Sequence, residues 1–337
     1  MKNKKLLWQL PFLTLLVVGT VLIIRQQQSM PYHHNVGMVF GTSYSITYQC
    51  DSDLHESIKA ELQKVDNSLS PFNKHSVITA VNQNQEVELD RMFTEVFAKA
   101  MAISEETGGA FDITVAPLVN AWGFGFKHST QPDQHQVDSL LRLVGYRKVT
   151  LKDGRIHKQD PRMMLDCSAI AKGYGSDVVA RFLRSRDVKN FMVEIGGEIV
   201  TSGINAQRVP WKVGVIKPTE DSLSAGELHS VVNVTDIAMA TSGNYRNFYY
   251  KGGKKYAHTV DPHTGYPVQH SLLSATVLAK DCATADAYAT SFMVLGLEKA
   301  KEILARHPEL MAYLIYSDDK GENAVWCSPS LKDKVEE

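Results

Sequence analysis

The strongest constraint on the fold is a change of pattern along the chain, from helical periodicity to short strands. Apolar residues recur at helical spacing from Leu54 to Leu69 and from Met92 to Ile103, and Ser168 to Arg186 is also typical of a helix. From Phe191 to Val260 short β-rich runs instead alternate with glycine-containing turns. Because no regular strand–helix–strand alternation is present, the pattern predicts an α+β domain of mostly antiparallel sheets with packed helices.

Other segments extend this prediction at both ends of the domain. Asp90 is a suitable cap for the second helix, because an aspartate oxygen can accept from the first free amides of a helix. The remaining predicted elements are a strand from Val36 to Tyr48, a short helix from Val137 to Val144, a hairpin from Lys148 to Lys158 around Asp153-Gly154, a strand from Leu272 to Leu278, helices from Cys282 to Leu295 and from Glu298 to Arg306, and strands from Met311 to Tyr316 and from Ala324 to Cys327.

The N-terminus predicts export. Three lysines, Lys2, Lys4 and Lys5, precede an apolar run from Leu6 to Ile24, which is roughly the ~20 residues that a bilayer-spanning helix needs. Lysines on this side predict a cytoplasmic N-terminus with the remainder exported. Residues 1–28 are therefore interpreted as a signal anchor or, alternatively, a signal peptide, residues 29–36 as a linker, and residues 37–330 as one folded domain.

Composition excludes several classes of function. Lys and Arg number 36 against 37 Asp and Glu, and this balance disfavours nucleic-acid binding, which usually needs a basic excess. Four cysteines without a CxxC pair are too few for a disulfide framework and do not indicate a zinc site. The chain also lacks a GxxxxGK phosphate loop, an HExxH zinc motif and a GxGxxG dinucleotide fingerprint.

Three segments carry polar residues that need an explanation. Asp112 lies in an apolar run, where a carboxylate must be paired or hydrogen-bonded; a turn-capping role is the alternative to a binding role. Asp166 and Lys172 surround a helix start that suits an anion, although a plain N-cap and a solvated lysine would look the same. Asp286 and Thr290 are four residues apart, so they share one helix face and offer hard oxygen ligands to Mg²⁺, unless the threonine is simply buried.

Together these segments resemble the ApbE family of FAD:protein FMN transferases. The resemblance extends from about Gly37 to Tyr316, and its segments follow the family's order: FGTSYSI, DNSLSPFN, GGAFDITVAPLVNAWGFG, LDCSAIAKGYGSD, VEIGGEI, ATSGNY, HTVDPHTG, and the D-x-x-x-T of Asp286 and Thr290. Three departures are present. No cysteine follows the apolar run, Phe40 stands where the family usually has Met, and Ala116 stands where it usually has Gly before Pro117.

The resemblance implies an FAD site and a Mg²⁺ site. It assigns the backbone carbonyl of Ala169 and the side chains of Asp286 and Thr290 to the metal, and His258 to the role of catalytic base. Lys172 would line the FAD site and stabilise a phosphate oxygen. The other implied FAD-binding residues are Phe40, Phe72, Ala110, Phe111, Asp112, Asp166 and Val260.

The implied activity is Mg²⁺-dependent transfer of FMN from FAD to a threonine hydroxyl, with release of AMP. The family's acceptors are exported segments of respiratory flavoproteins, such as the Na⁺-translocating NADH:quinone reductase, that carry a Ser/Thr-Gly-Ala-Thr type motif. The implied location is the periplasmic side of a bacterial inner membrane. Two alternatives stay open, an FAD pyrophosphatase with water as the acceptor and a non-catalytic periplasmic flavin-binding module. Cys167 and Cys282 flank the metal segments and are expected as buried free thiols, with a disulfide as the alternative.

Overall fold

The computed structural model describes residues 11–21, 30–125, 132–219, 226–244, 248–251 and 254–336. A first helix, α1, covers residues 11–21. The other helices are α2 (His55–Leu69), α3 (Val77–Asn82), α4 (Arg91–Glu106), α5 (Ala116–Ala121), α6 (Gln134–Leu141), α7 (Ser168–Ser185), α8 (Cys282–Leu295) and α9 (Leu297–Arg306), and tighter single turns lie at Tyr146–Lys148 and Pro329–Lys334.

Within the described ranges, the strands form one large sheet and three small ones. In chain order they are β1 (Tyr32–Val39), β2 (Thr42–Gln49), β3 (Val149–Lys152), β4 (Arg155–Lys158), β5 (Phe191–Ile195), β6 (Glu198–Ser202), β7 (Trp211–Ile216), β8 (Leu228–Val234), β9 (Ala238–Gly243), β10 (Phe248–Lys251), β11 (Lys254–Ala257), β12 (Leu272–Ala279), β13 (Met311–Ser317), β14 (Asn323–Cys327) and β15 (Val335–Glu336).

The large sheet has the order β1-β2-β5-β6-β9-β12-β13-β14, and every neighbouring pair in it is antiparallel. A second sheet has the order β15-β8-β7, and β3-β4 and β10-β11 are separate hairpins. The α+β prediction with mostly antiparallel sheets is therefore confirmed.

The core has three layers, with the large sheet in the middle. Helices α2, α4, α7 and α8 pack on one face of this sheet around fully buried side chains such as Phe93 and Phe292. On the other face, Trp211 and Val232 of the small sheet pack against Ile199 and Ile315 of the large one. Both faces of the large sheet are thus covered, which explains why its central strands are buried on both sides, as β6 and β12 are.

Helices α7 and α8 lie unusually close together at Gly173. A Cβ atom at Gly173 would stand 2.4 Å from the carbonyl oxygen of Cys282. The carboxylate of Asp177 in α7 accepts hydrogen bonds from the amides of Cys282 and Ala283, over 2.8 and 2.9 Å, and so satisfies the first free donors of α8. The two helices therefore meet through backbone and carboxylate contacts as well as apolar packing.

Most predicted elements match the structure closely. Helix α8 has the predicted bounds, and Asp90 accepts from the Phe93 amide at 2.7 Å as the predicted cap of α4. The hairpin around Asp153-Gly154 is present, and both residues have positive φ, as a two-residue hairpin turn requires. Helix α6 begins three residues earlier than predicted, at Gln134.

The N-terminal part differs from the prediction in two ways. The predicted strand from Val36 to Tyr48 is a hairpin, which turns at Phe40 and Gly41 with φ of 52° and 74°. Strand β1 also begins at Tyr32, inside the predicted linker. Its polar composition looked like a linker because β1 is the edge of the large sheet, where one side of the strand meets solvent.

The predicted membrane segment falls only partly on the described residues. Helix α1 covers residues 11–21, while residues 1–10 and 22–29, with the three lysines, lie outside the described part. Within the described part, no helix combines the length and apolar character needed to cross a membrane.

Candidate functional site

A cavity of about 620 Å³ lies between the two larger sheets and the ends of α7 and α8. Strands β5, β6 and β9 form its floor, and β7 closes one side. The loop before α5 and the loop after β11 supply the remaining walls. A volume of this size is typical of a cleft that encloses most of a small organic ligand.

The predicted site residues meet at this cavity, with one exception. Phe40 is not among the residues that line it; its ring lies against Gly175 of α7, where an added Cβ would meet the ring at 2.7 Å. The predicted residues that do line the cavity are Phe72, Ala110, Phe111, Asp112, Asp166, Ala169, Lys172, His258, Val260, Asp286 and Thr290. Residues from five separate segments of the sequence are thereby brought to one place.

Asp286 is a buried carboxylate at the contact between α7 and α8. It is 2% exposed, and its Oδ2 accepts a hydrogen bond from the amide of Gly173 at 3.0 Å. In a regular α-helix that amide donates to the carbonyl of Ala169, four residues earlier. The Asp286 carboxylate therefore lies beside the first turn of α7, which carries the Ala169 carbonyl. One turn further along α8, the hydroxyl of Thr290 lies 3.1 Å from that of Ser242 in β9.

These oxygens fit a hard divalent cation that also takes ligands from its substrate. Burial raises the pKa of Asp286, which means that its charge lacks full compensation from the protein. Among the described residues, no group of three or more His, Cys, Asp and Glu is placed to hold a metal. One carboxylate, one hydroxyl and one carbonyl suit Mg²⁺, which usually keeps only one or two carboxylates and completes its shell with water and phosphate oxygens.

Lys172 forms an ion pair that the sequence did not predict. Its Nζ lies 2.6 Å from Oε1 of Glu198 at the start of β6, and the Glu198 side chain is 2% exposed. Burial acts to lower the pKa of Lys172, but the charges of Asp286 and Glu198 together raise it, so the lysine is an ammonium. Two carboxylates thus face one ammonium beneath the cavity.

Asp112 and Asp166 both shape the walls of the cavity through local hydrogen bonds. Asp112 accepts from the amide and hydroxyl of Thr114, at 2.8 and 2.6 Å, and from the amide of Tyr146 at 2.8 Å. Asp166 accepts from the amide and hydroxyl of Ser168 at the start of α7, at 2.8 and 2.5 Å. Burial raises the pKa of both carboxyl groups. The turn-capping interpretation of Asp112 therefore holds. Asp166 is not the N-cap of α7, because that position is Cys167; Asp166 precedes it and holds the helix start through Ser168. Both carboxyl groups also line the cavity.

His258 lies at the side of the cavity, beside an aromatic cluster. Its ring meets Phe124 edge-on, with 6.4 Å between ring centroids. Phe124 stacks on Tyr249, which stacks on Tyr256. The indole of Trp122 donates to the carbonyl of Gly265 at 2.7 Å and so ties the segment after His258 to the end of α5.

Several residues at the cavity were not singled out from the sequence. Glu198, just behind the cavity, belongs to the VEIGGEI segment, where a carboxylate between a hairpin glycine and the apolar Ile199 and Val200 was the available signal. Gly196 and Gly197 form the β5–β6 turn with positive φ, and the Gly197 amide donates to Glu194 at 3.0 Å. Ser242 and Thr259 carry no such signal, because hydroxyl residues occur throughout the chain.

The two cysteines near the metal segments are free thiols. Cys167 precedes α7 and Cys282 begins α8, and both side chains are buried. Burial raises the pKa of each thiol, so both are protonated and unreactive at neutral pH. The disulfide alternative is not present in the structure.

Comparison with known proteins places this cavity in context. The model of the ApbE family matches residues 40–315. An FAD:protein FMN transferase from Haemophilus influenzae is 39% identical over 302 residues, which cover 85% of this chain and 86% of that protein.

Solved structures show the same architecture. Flavin transferase ApbE from Vibrio cholerae superposes with a TM-score of 0.82 at 33% identity, over 90% of this chain and 99% of that one. The apo form of the Pseudomonas stutzeri flavinyl transferase ApbE gives a TM-score of 0.79 at 27% identity, over 90% and 97%. The layered arrangement around the cavity is therefore shared with these proteins.

Proposed function

This chain belongs to the ApbE family and is an FAD:protein FMN transferase, and from that premise we propose that the 620 Å³ cavity is its active site. There, with Mg²⁺ bound, FMN passes from FAD to a threonine hydroxyl of an exported protein, and AMP leaves. The observation that carries the proposal is the meeting of Lys172, His258 and Asp286, which are far apart in the sequence, at one cavity.

FAD binding is assigned to the apolar and amide-rich walls of the cavity. Phe111 and Val260 are buried and offer apolar contact to the flavin, while Phe72, which is 70% exposed, offers its ring at the edge of the cavity. Asp112 and Asp166 use their oxygens to hold the surrounding loops, so their role is to fix the walls rather than to react. Because these walls are already held in place, less conformational entropy is lost when a ligand binds.

The metal ligands are Asp286, Thr290 and the carbonyl of Ala169. When bound, Mg²⁺ supplies charge neutralisation for the FAD pyrophosphate and for the leaving AMP. Asp286 is held in place by the Gly173 amide, and Thr290 by Ser242, so both oxygens are oriented before any ligand arrives. Such orientation is what phosphoryl transfer requires, because most of its catalysis is positioning and electrostatic stabilisation.

His258 is assigned to the proton transfer. The threonine oxygen of the acceptor forms a bond to the FMN phosphorus as the bond from that phosphorus to the AMP oxygen breaks. The threonine proton passes to an imidazole nitrogen of His258, whose class of side chain titrates near neutral pH. Phe124, edge-on to the imidazole, limits the positions that the ring can take.

We further propose that the enzyme works on the periplasmic side of a bacterial inner membrane, held there by residues 1–28. The support is the lysine cluster ahead of the apolar run from Leu6 to Ile24. The acceptor is a respiratory flavoprotein with a Ser/Thr-Gly-Ala-Thr type motif, as the family resemblance implies. Anchoring both partners at one membrane would raise their effective concentration.

The test combines the full chain in detergent with FAD, Mg²⁺ and an acceptor domain that carries the motif. Flavin fluorescence of the acceptor band on a denaturing gel and released AMP are measured together. We expect equal amounts of labelled acceptor and AMP, both lost with EDTA. The matched control is the acceptor with its threonine changed to alanine. AMP and FMN released without labelling would identify a pyrophosphatase instead, and bound FAD without any product would identify a carrier.

A further inference from the structure

Glu198 is a buried carboxylate that no step of the proposed transfer uses. It begins β6 immediately after the Gly196-Gly197 turn and is 2% exposed. It lies behind the cavity rather than in its lining. Burial of a carboxylate costs free energy unless the group is paired, so the presence of Glu198 at this place needs a reason.

The two carboxylate oxygens of Glu198 differ in their contacts. Oε1 is paired with the Lys172 ammonium at 2.6 Å, whereas Oε2 is buried without a hydrogen-bond partner among the described residues. Burial raises the pKa of Glu198, the Lys172 ammonium lowers it, and the Asp286 charge raises it again. The contact of its Oε1 with the Lys172 ammonium favours the ionised form of Glu198.

Two carboxylates act electrostatically on Lys172, which forms an ion pair with one of them. The ion pair is with Glu198, while Asp286 takes its hydrogen bond from the backbone amide of Gly173. Asp286 still contributes to the raised pKa of Lys172, so the ammonium is within electrostatic reach of it. An ammonium that moved onto Asp286 would compete directly with a cation for the same oxygens.

We propose that Glu198 is a positioning residue that holds the Lys172 ammonium away from Asp286, and thereby keeps the Asp286 carboxylate available to the divalent cation. This inference rests on the metal site of the proposed function. The three side chains together carry one net negative charge. Without the Glu198 charge the group is neutral, and Lys172 is free to pair with Asp286.

The test measures cation binding itself, using Mn²⁺ as the probe because it is a hard cation that accepts the same oxygen ligands. Free Mn²⁺ is followed by electron paramagnetic resonance in a titration of the full chain with FAD and no acceptor. We expect Glu198→Gln to weaken Mn²⁺ binding by about tenfold or more, since one buried charge is removed close to the site. Lys172→Met combined with Glu198→Gln restores the net charge, and we expect affinity within about threefold of the wild type.

The matched control is Glu95→Gln. Glu95 also has a carboxylate that contacts α7, through the hydroxyl of Tyr174 at 2.6 Å, but it lies outside the cavity. The Mn²⁺ affinity of the Glu95→Gln variant should equal that of the wild type. Thermal melting of each variant checks the fold. If Glu198→Gln does not fold, Lys172→Met alone gives the test, because removing the ammonium should tighten Mn²⁺ binding.

The outcomes separate the inference from the proposed function. Wild-type affinity in Glu198→Gln, a double variant as weak as the single one, or unchanged affinity in Lys172→Met would each overturn the role of Glu198. Failure of the wild-type chain itself to bind Mn²⁺ would instead overturn the metal site, and the inference with it. Restoration by the double variant is an outcome that a merely structural role for Glu198 does not produce.

Discussion

The main-chain amide of Gly173 in α7 donates a hydrogen bond to the carboxylate of Asp286 in α8, over 3.0 Å. The contact needs a close approach of the two helices, and only a residue without a side chain permits it here. The geometry that orients the proposed metal ligand is therefore built into the packing of the core.

Gly173→Ala should destabilise the protein and remove FMN transfer. The new Cβ would lie 2.4 Å from the Cys282 carbonyl, which is backbone and cannot move without shifting α8. Overpacking of this kind costs about 1–3 kcal/mol, more than the ~1 kcal/mol that alanine gains over glycine in a helix. Urea unfolding and the acceptor-labelling assay measure the two effects.

Gly175→Ala is the matched control for that change. Gly175 lies in the same helix, so its change to alanine brings the same gain in helix propensity. Its new Cβ, however, would meet the far end of the Phe40 ring, which can rotate. We expect a smaller loss of stability and retained transfer. Equal losses in the two variants would mean that the approach of α7 to α8 has no special role.

The sequence predicted the elements well where its signals are local. Helix α8 has its predicted bounds, and in the structure Asp281 caps its start by accepting from the Thr284 amide at 2.9 Å. The Phe40-Gly41 turn was missed because a phenylalanine at positive φ is unusual, so the hairpin looked like one long strand. The short helix α5 was missed because six residues hold too few apolar positions to show a period.

The site was predictable as a set of residues but not as a geometry. All the residues that the family resemblance named, except Phe40, line the cavity, yet the resemblance gave no sign that Lys172 pairs with Glu198. That ion pair joins a helix to a strand start 26 positions later, and no spacing rule links two such positions. Long-range pairs of this kind depend on tertiary packing, which local patterns do not record.

Asp286→Asn and Thr290→Val should each abolish Mg²⁺-dependent transfer. Asp286→Asn removes the negative charge and one oxygen, and Thr290→Val removes the hydroxyl, while both variants keep the size of the side chain. The cation therefore loses affinity while the core stays filled. Acceptor labelling is measured across a Mg²⁺ titration. Ser291→Ala is the control, since its hydroxyl donates to the Ala287 carbonyl and lies outside the cavity lining. Undiminished transfer in both Asp286→Asn and Thr290→Val would remove these residues from the metal site.

His258→Ala should retain FAD binding and lose rate. Removal of a general base typically costs about 10²–10⁴-fold in kcat, whereas the apolar walls that hold the flavin stay intact. Quenching of flavin fluorescence gives the Kd for FAD, and single-turnover labelling gives the rate. His263→Ala is the control: it lies in the same segment, but its ring contacts Asp261 and the Gly108 carbonyl. A His258→Ala variant as fast as the His263→Ala variant would exclude the proposed base.

Asp177 should make the stability of the protein depend on pH between about 4 and 7. Burial raises the pKa of its carboxyl group from 3.8 to about 6, although two amides of α8 donate to it. Because the folded-state pKa lies above the unfolded one, the contribution to stability is full below about pH 3.8 and is lost as the pH rises through about 6.

Asp177→Asn removes this titration while keeping the shape of the side chain. The unfolding free energy of the wild type minus that of the variant should grow as the pH falls from 7 to 4. A shift of roughly two units corresponds to about 3 kcal/mol at most. Urea unfolding at both pH values measures the difference. Asp160→Asn is the matched control. Hydrogen bonds from Arg162 lower the pKa of Asp160 from 3.8 to about 2, so its contribution is present above about pH 3.8 and is lost only as the pH falls through about 2. The wild-type minus Asp160→Asn difference should therefore stay nearly constant between pH 7 and 4. A wild-type minus Asp177→Asn difference that is constant with pH would mean that the buried carboxyl group does not titrate in this range.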